Sequence, residues 1–109
     1  MSEGASYTFE EMNDRVERIV HALQDEKGVI NAGLAADALA FVAAIQFDLD
    51  PNNVAPSHLR RAAEDHATVV YRYSRFLRAH FEKNGIHFAE QIGGEVRLTG
   101  DLPPGHVRH

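Results

Sequence analysis

The chain has 109 residues, 44% of them hydrophobic and 25% charged, with a formal net charge of −5 and no cysteine. That length suits one domain burying roughly two-thirds of its unfolded surface. The missing thiols exclude disulfide scaffolds, thiolate zinc sites, iron–sulfur clusters and cysteine nucleophiles.

Charge is unevenly placed: residues 1–50 carry ten acidic and three basic side chains (−7), and residues 51–109 carry eight basic and six acidic (+2). The acidic total argues against a general nucleic-acid binder, whose affinity rests on neutralising phosphates. The asymmetry instead suggests that the two halves, or two copies, face each other with opposite charge. The stretch "MSEGASYTFEE" lacks the basic start and apolar run of a secretory leader, so a cytoplasmic chain is expected.

The first helix is predicted over residues 9–27. Thr8 precedes Glu11 by three positions, the pattern in which hydroxyl and carboxylate reciprocally satisfy free backbone amides. Phe9, Met12, Val16, Ile19, Val20 and Leu23 recur at helical spacing, leaving Glu10, Arg15, Glu17 and Arg18 outside. Gly28 is placed to end the helix in a left-handed conformation.

Asn31 is a candidate cap for a second helix, which must end near Asp50 because Pro51 cannot continue it. Its segment "AGLAADALAFVAAIQF" falls short of the roughly 20 apolar residues of a membrane span and carries Asp37 and Gln46. A buried helix away from any membrane is therefore expected. Leu34, Ala38, Phe41, Val42, Ile45 and Leu49 form one broad face, opposite a side made mostly of alanine plus Phe47. A helix apolar nearly all round is normally sandwiched between others, and one amphipathic partner on either side would not cover this one.

"DPNNVAPS" reads as a turn-rich connector, with Ser57 as the cap of a third helix over about 58–83 that Asn84-Gly85 stops. Beyond it, "IHFAEQIGGEVRLTG" holds two short runs separated by Gly93-Gly94, a hairpin signal that would set Glu90 opposite Arg97. A short helix over 86–92 is the competing reading. Residues 1–100 are thus expected to form a single mainly α domain, a three-helix antiparallel bundle with a small C-terminal β-hairpin or irregular tail. Residues 101–109 are expected to be a flexible tail.

Function candidates concentrate on the third helix. His66, Tyr73 and His80 are seven residues apart along its apolar stripe. Seven residues rise about 10.5 Å, so the two imidazoles of one helix cannot share a metal whose ligands reach within about 2.1 Å. The favoured reading places them at the edge of a core. An alternative pairs two copies antiparallel about Tyr73, setting His66 beside the partner's His80, since polar residues in a helix seam fix register.

Arg72, Arg75 and Arg78 step around an exposed flank. They could hold carboxylate or phosphate, although a solvated face, or the mate of the acidic Glu10, Asp14 and Glu17 face of the first helix, is favoured. No phosphate-cradling loop, nucleophile elbow or zinc-binding His-Glu-x-x-His pattern occurs. No catalytic residue, metal or cofactor is therefore expected. The expected role is a homodimeric protein–protein interaction or regulatory module, with Phe41, Ile45, Val69, Tyr73, Phe76 and Leu77 at the interface and another protein as a further partner. The runner-up is a domain binding an anionic small molecule or a metal through Arg72, Arg75, Arg78, His66, Tyr73 and His80.

Overall fold

The computed structural model describes residues 6–101; the expected tail at 102–109 lies outside them. The chain is mainly helical: α1 (Phe9–Leu23), β1 (Val29–Asn31), α2 (Ala32–Leu49), α3 (Pro56–Asn84), α4 (Phe88–Gly93) and β2 (Arg97–Thr99) follow in order.

α1 opens as the sequence dictates. The Glu11 amide donates to Thr8 Oγ1 at 3.1 Å, and the Thr8 amide donates to Glu11 Oε1 at 2.8 Å. The helix ends four residues earlier than expected. Asp25 is the cause: its carboxylate accepts from the amides of Lys27 (2.8 Å) and Val29 (3.0 Å), bending the chain back into β1. Gly28, at φ +76°, serves that turn rather than the helix end. Gln24, already extended, forms an isolated antiparallel bridge with Ile30.

α2 is capped by Asn31, whose side-chain oxygen accepts from the Leu34 amide at 3.0 Å, and it stops before Pro51. α3 begins earlier than expected because Pro56 supplies a first-turn residue that needs no amide partner; Ala55, not Ser57, occupies the cap position. Gly85, at φ +77°, ends α3.

The C-terminal hairpin expectation is corrected. Residues 88–93 are helical, and Gly93-Gly94 close that helix instead of turning between strands. Glu90 accepts from the His87 amide at the start of α4, 3.2 Å away, so it does not face Arg97 across a ladder. β2 pairs in parallel with β1, joining Val29 to Arg97, Ile30 to Leu98 and Asn31 to Thr99. Gln24 Nε2 reinforces this junction by donating to the carbonyls of Gly28 and Glu95.

Packing is open. α1 contacts α4, α3 contacts α4, and α2 contacts α3, the last toward their shared connector, where the Phe47 ring meets His66 edge-on. Among the described residues, the buried hydrophobics are Ile30, Ala32 and Ala35. The radius of gyration is 15.7 Å, against about 13 Å for a compact chain of this length.

Candidate functional site

The largest uncovered feature is apolar. α2 turns its small side inward: Ala32 and Ala35 are buried, and Ala36, Ala43 and Phe47 are half-buried. At 100° per residue, Leu34, Phe41, Ile45 and Leu49 fall on the other side of the helix, with Val42 on its flank beside Ala35. All five are exposed, Phe41 at 70% and Leu49 at 74%. The expectation of a buried helix therefore fails, because the fold covers the alanine side and leaves the bulky side open. By length and composition alone, α2 is long and apolar enough to cross a membrane.

α3 shows the same exposure. Every residue from 63 to 79 is exposed, including Val69, Val70, Tyr73, Phe76 and Leu77, with Phe76 at 62%. Its first turns are held by α2 and its last by α4. Among the described residues, the middle of the stretch between, around Val70, Tyr73 and Phe76, has no covering element. The described residues of a single chain thus provide no core for this stripe, whose middle residue Tyr73 is solvent-facing.

The two stripe histidines are engaged within the chain. His66 sits edge-on to Phe47 with ring centres 5.7 Å apart, and His80 sits edge-on to Phe88 at the same separation. His80 Nδ1 lies 3.2 Å from Asn84 Nδ2, which also donates to the His80 carbonyl at 3.0 Å. Its Nε2 is buried without a hydrogen-bond partner among the described residues. His87 stacks on Phe81 at 4.2 Å, closing the α3–α4 end. The structure therefore brings His66 and His80 to opposite ends of α3's open stretch and does not bring them together.

The arginines do not converge. Residues 72, 75 and 78 fan through about 120° of helix circumference, with Arg75 over Tyr71 at 6.0 Å and Arg78 over Phe81 at 5.5 Å. Among the described residues no ion pair joins them to α1. Within that helix, Asp14 pairs with Arg15 and Arg18 at 3.0 and 3.1 Å, and Glu17 lies 3.7 Å from His21. Also among the described residues, no group of three or more histidine or carboxylate side chains could hold a metal.

One concavity was not foreseen: a cleft of about 570 Å³ between the end of α2, the connector and the start of α3. Phe47, Ala62, His66 and Val69 give it an apolar wall, with Arg61 and Asp65 on its rim. Its polar atoms largely hold the elbow itself. Asn53 Nδ2 donates to the Phe47 carbonyl at 3.0 Å, His58 Nδ1 accepts from the Val54 amide at 3.2 Å, and Asp50 accepts from the Asn52 amide at 2.9 Å. Arg61 and Asp65 are paired with each other at 3.5 Å. The spacing of His58, Arg61 and Asp65 on one helix side was the available signal, but the opposing wall comes from α2. Among family models, curated proteins and solved structures, none matches this chain.

Electrostatics at the β1–β2 junction centre on Asp25. Its carboxyl is held below the ordinary carboxylate range by hydrogen bonds from the Val29 and Lys27 amides, with the Arg97 charge a lesser contributor. Arg97 also donates to the Lys27 carbonyl at 3.3 Å, so this turn is tied to the segment around Arg97 across the three helices between them.

Proposed function

We propose that this chain is a homo-oligomeric interaction module, most simply a homodimer, assembled through the bulky face of α2 and the open stretch of α3. One observation carries the reading: the described residues bury little more than Ile30, Ala32 and Ala35, while both helices present contiguous bulky apolar faces to solvent. Monomeric proteins rarely leave open a patch larger than a few hundred Å². Here the exposed Leu, Ile, Val, Phe and Tyr side chains of α2 and α3 offer on the order of 1,000 Å² per chain, comparable to the roughly 800 Å² each partner contributes to a standard interface. Phe41, Ile45, Val69, Tyr73, Phe76 and Leu77 are its anchors. The antiparallel helical bundle expected of a single chain is then completed between copies. Its role is regulatory or adaptor-like in the cytoplasm, with any further protein partner docking on the assembled surface and no catalytic residue, cofactor or metal required.

The test is light scattering coupled to size exclusion across a hundredfold concentration range. The expected mass is twice the 12.1 kDa subunit; a single-subunit mass at every concentration removes the proposal. A second reading takes the same α2 face as a membrane-inserted surface, favoured by its length and composition. Against it, 18 residues rise about 27 Å, slightly less than a bilayer core, and Asp37 and Asp48 lie in the span. Flotation with anionic phosphatidylserine vesicles, set beside the scattering result, separates the two.

A further inference from the structure

We infer that the interface is an exchange: α2 of one copy lies along the open stretch of α3 of its partner, and the reverse, giving a four-helix unit. This inference rests on the homo-oligomer reading and specifies which surface meets which. Three observations support it. The first is length. The bulky face of α2 runs from Leu34 to Leu49, about 24 Å by helical rise, and the exposed stretch of α3 from 63 to 79 spans about 25 Å. The second is direction. α2 meets its own α3 through Phe47, on the alanine side, so its bulky face is turned away from its own α3 and needs another copy's.

Charge is the third. α2 carries Asp37 and Asp48 and no basic residue, a balance of −2, whereas the exposed stretch of α3 from 63 to 79 carries Arg72, Arg75 and Arg78 against Glu64 and Asp65, a balance of +1. The net charges of the two exposed stretches thus have opposite sign, which favours α2 against α3 over either helix against its own copy. The symmetric α3–α3 seam also loses its histidine argument, since His66 already meets Phe47 and His80 already meets Phe88 within one chain. Reciprocal contacts of this kind close about a two-fold axis and leave no open end for further growth.

The experiment mixes two variants. One carries Phe41→Asp and Ile45→Asp on α2; the other carries Val69→Asp and Phe76→Asp on α3. All four positions are exposed in the single chain, and circular dichroism checks that helix content is retained. In an exchanged dimer each variant alone spoils both contacts, whereas the mixture keeps one contact intact. Sedimentation should therefore show the mixture associating at about tenfold or more lower concentration than either variant alone.

Because the chain has no cysteine, single replacements Val42→Cys and Val70→Cys in the otherwise native protein give an independent readout. Mild oxidation of their mixture should yield the mixed disulfide in preference to either homodisulfide. Variants that each still dimerise alone, with no gain on mixing and with homodisulfides dominant, would overturn the exchange while leaving the homo-oligomer standing. A native protein that is a single copy at all concentrations would instead overturn the reading beneath it.

Discussion

Replacing Phe41 by alanine distinguishes a bare surface residue from an interface anchor by the sign of the effect. Phe41 is 70% exposed within one chain, which for a ring of this size leaves roughly 140 Å² in contact with water. Truncation to alanine removes about 100 Å² of that, worth about 2.5 kcal/mol if a partner buries it. In a symmetric dimer the loss occurs twice, about 5 kcal/mol in all, weakening association a few thousandfold. For a chain working alone the expectation reverses. The ring then covers nothing, and alanine is the better helix former by several tenths of a kcal/mol, so thermal stability should hold or rise. The assay is sedimentation equilibrium for the association constant, paired with Tm measured at two protein concentrations, because a dimer's Tm depends on concentration. Unchanged self-association together with an unchanged or raised Tm would refute the interface argument.

Two further perturbations address the junction that joins residues 24–31 to residues 95–99. Gly28→Ala places a Cβ 3.0 Å from the Glu95 carbonyl oxygen at φ +76°, and should cost about 1–2 kcal/mol. A urea midpoint equal to that of the native protein would show that the turn is not held as described. Asp25 has its folded-state pKa depressed by the Val29 and Lys27 amides, so its stabilisation is present above the unfolded-state value and disappears as pH falls through the lower folded one. The junction should therefore loosen below about pH 4, read as faster amide exchange of Lys27 and Val29. Asp25→Ala should abolish that acid step and show fast exchange at neutral pH as well; if the step persists in the variant, another group causes it.

The helices were legible wherever the chain carries its own punctuation. Thr8 with Glu11 fixes the start of α1, Asn31 the start of α2, Pro51 its end, and Gly85 the end of α3; each acts over a few residues and needs no tertiary information. The end of α1 was not legible, because Asp25 closes a turn whose purpose is to deliver Val29–Asn31 to a strand far along the sequence. Three-residue strands are too short to display alternation, and a parallel pair has no turn of its own to announce it. Gly93-Gly94 misled for a related reason: two glycines permit a hairpin turn and a helix end alike, and only the pairing of Arg97–Thr99 with β1 decides.

The candidate site was half legible. Periodicity identified His66, Tyr73 and His80 on one stripe and showed that α2 had more apolar surface than its neighbours could cover. It did not reveal that the alanine side would be the covered one. Nor could it supply Phe47 and Phe88 as ring partners, because those contacts depend on how α2 and α4 meet α3.

The pairing of β1 with β2 also has a consequence for the order in which the protein matures. Val29 and Arg97 must meet across an intervening segment that leaves the ribosome at about 5–20 residues per second, so the two strands cannot be fastened for several seconds after α2 has emerged. Each helix between them can form from local contacts in that interval, long before the sheet does. A nascent chain therefore displays the bulky side of α2, and then the open length of α3, while still attached to its ribosome and unfastened at its base. Neighbouring chains on one message would be the nearest surfaces to meet them, and joining the strands would come last, securing an arrangement already chosen.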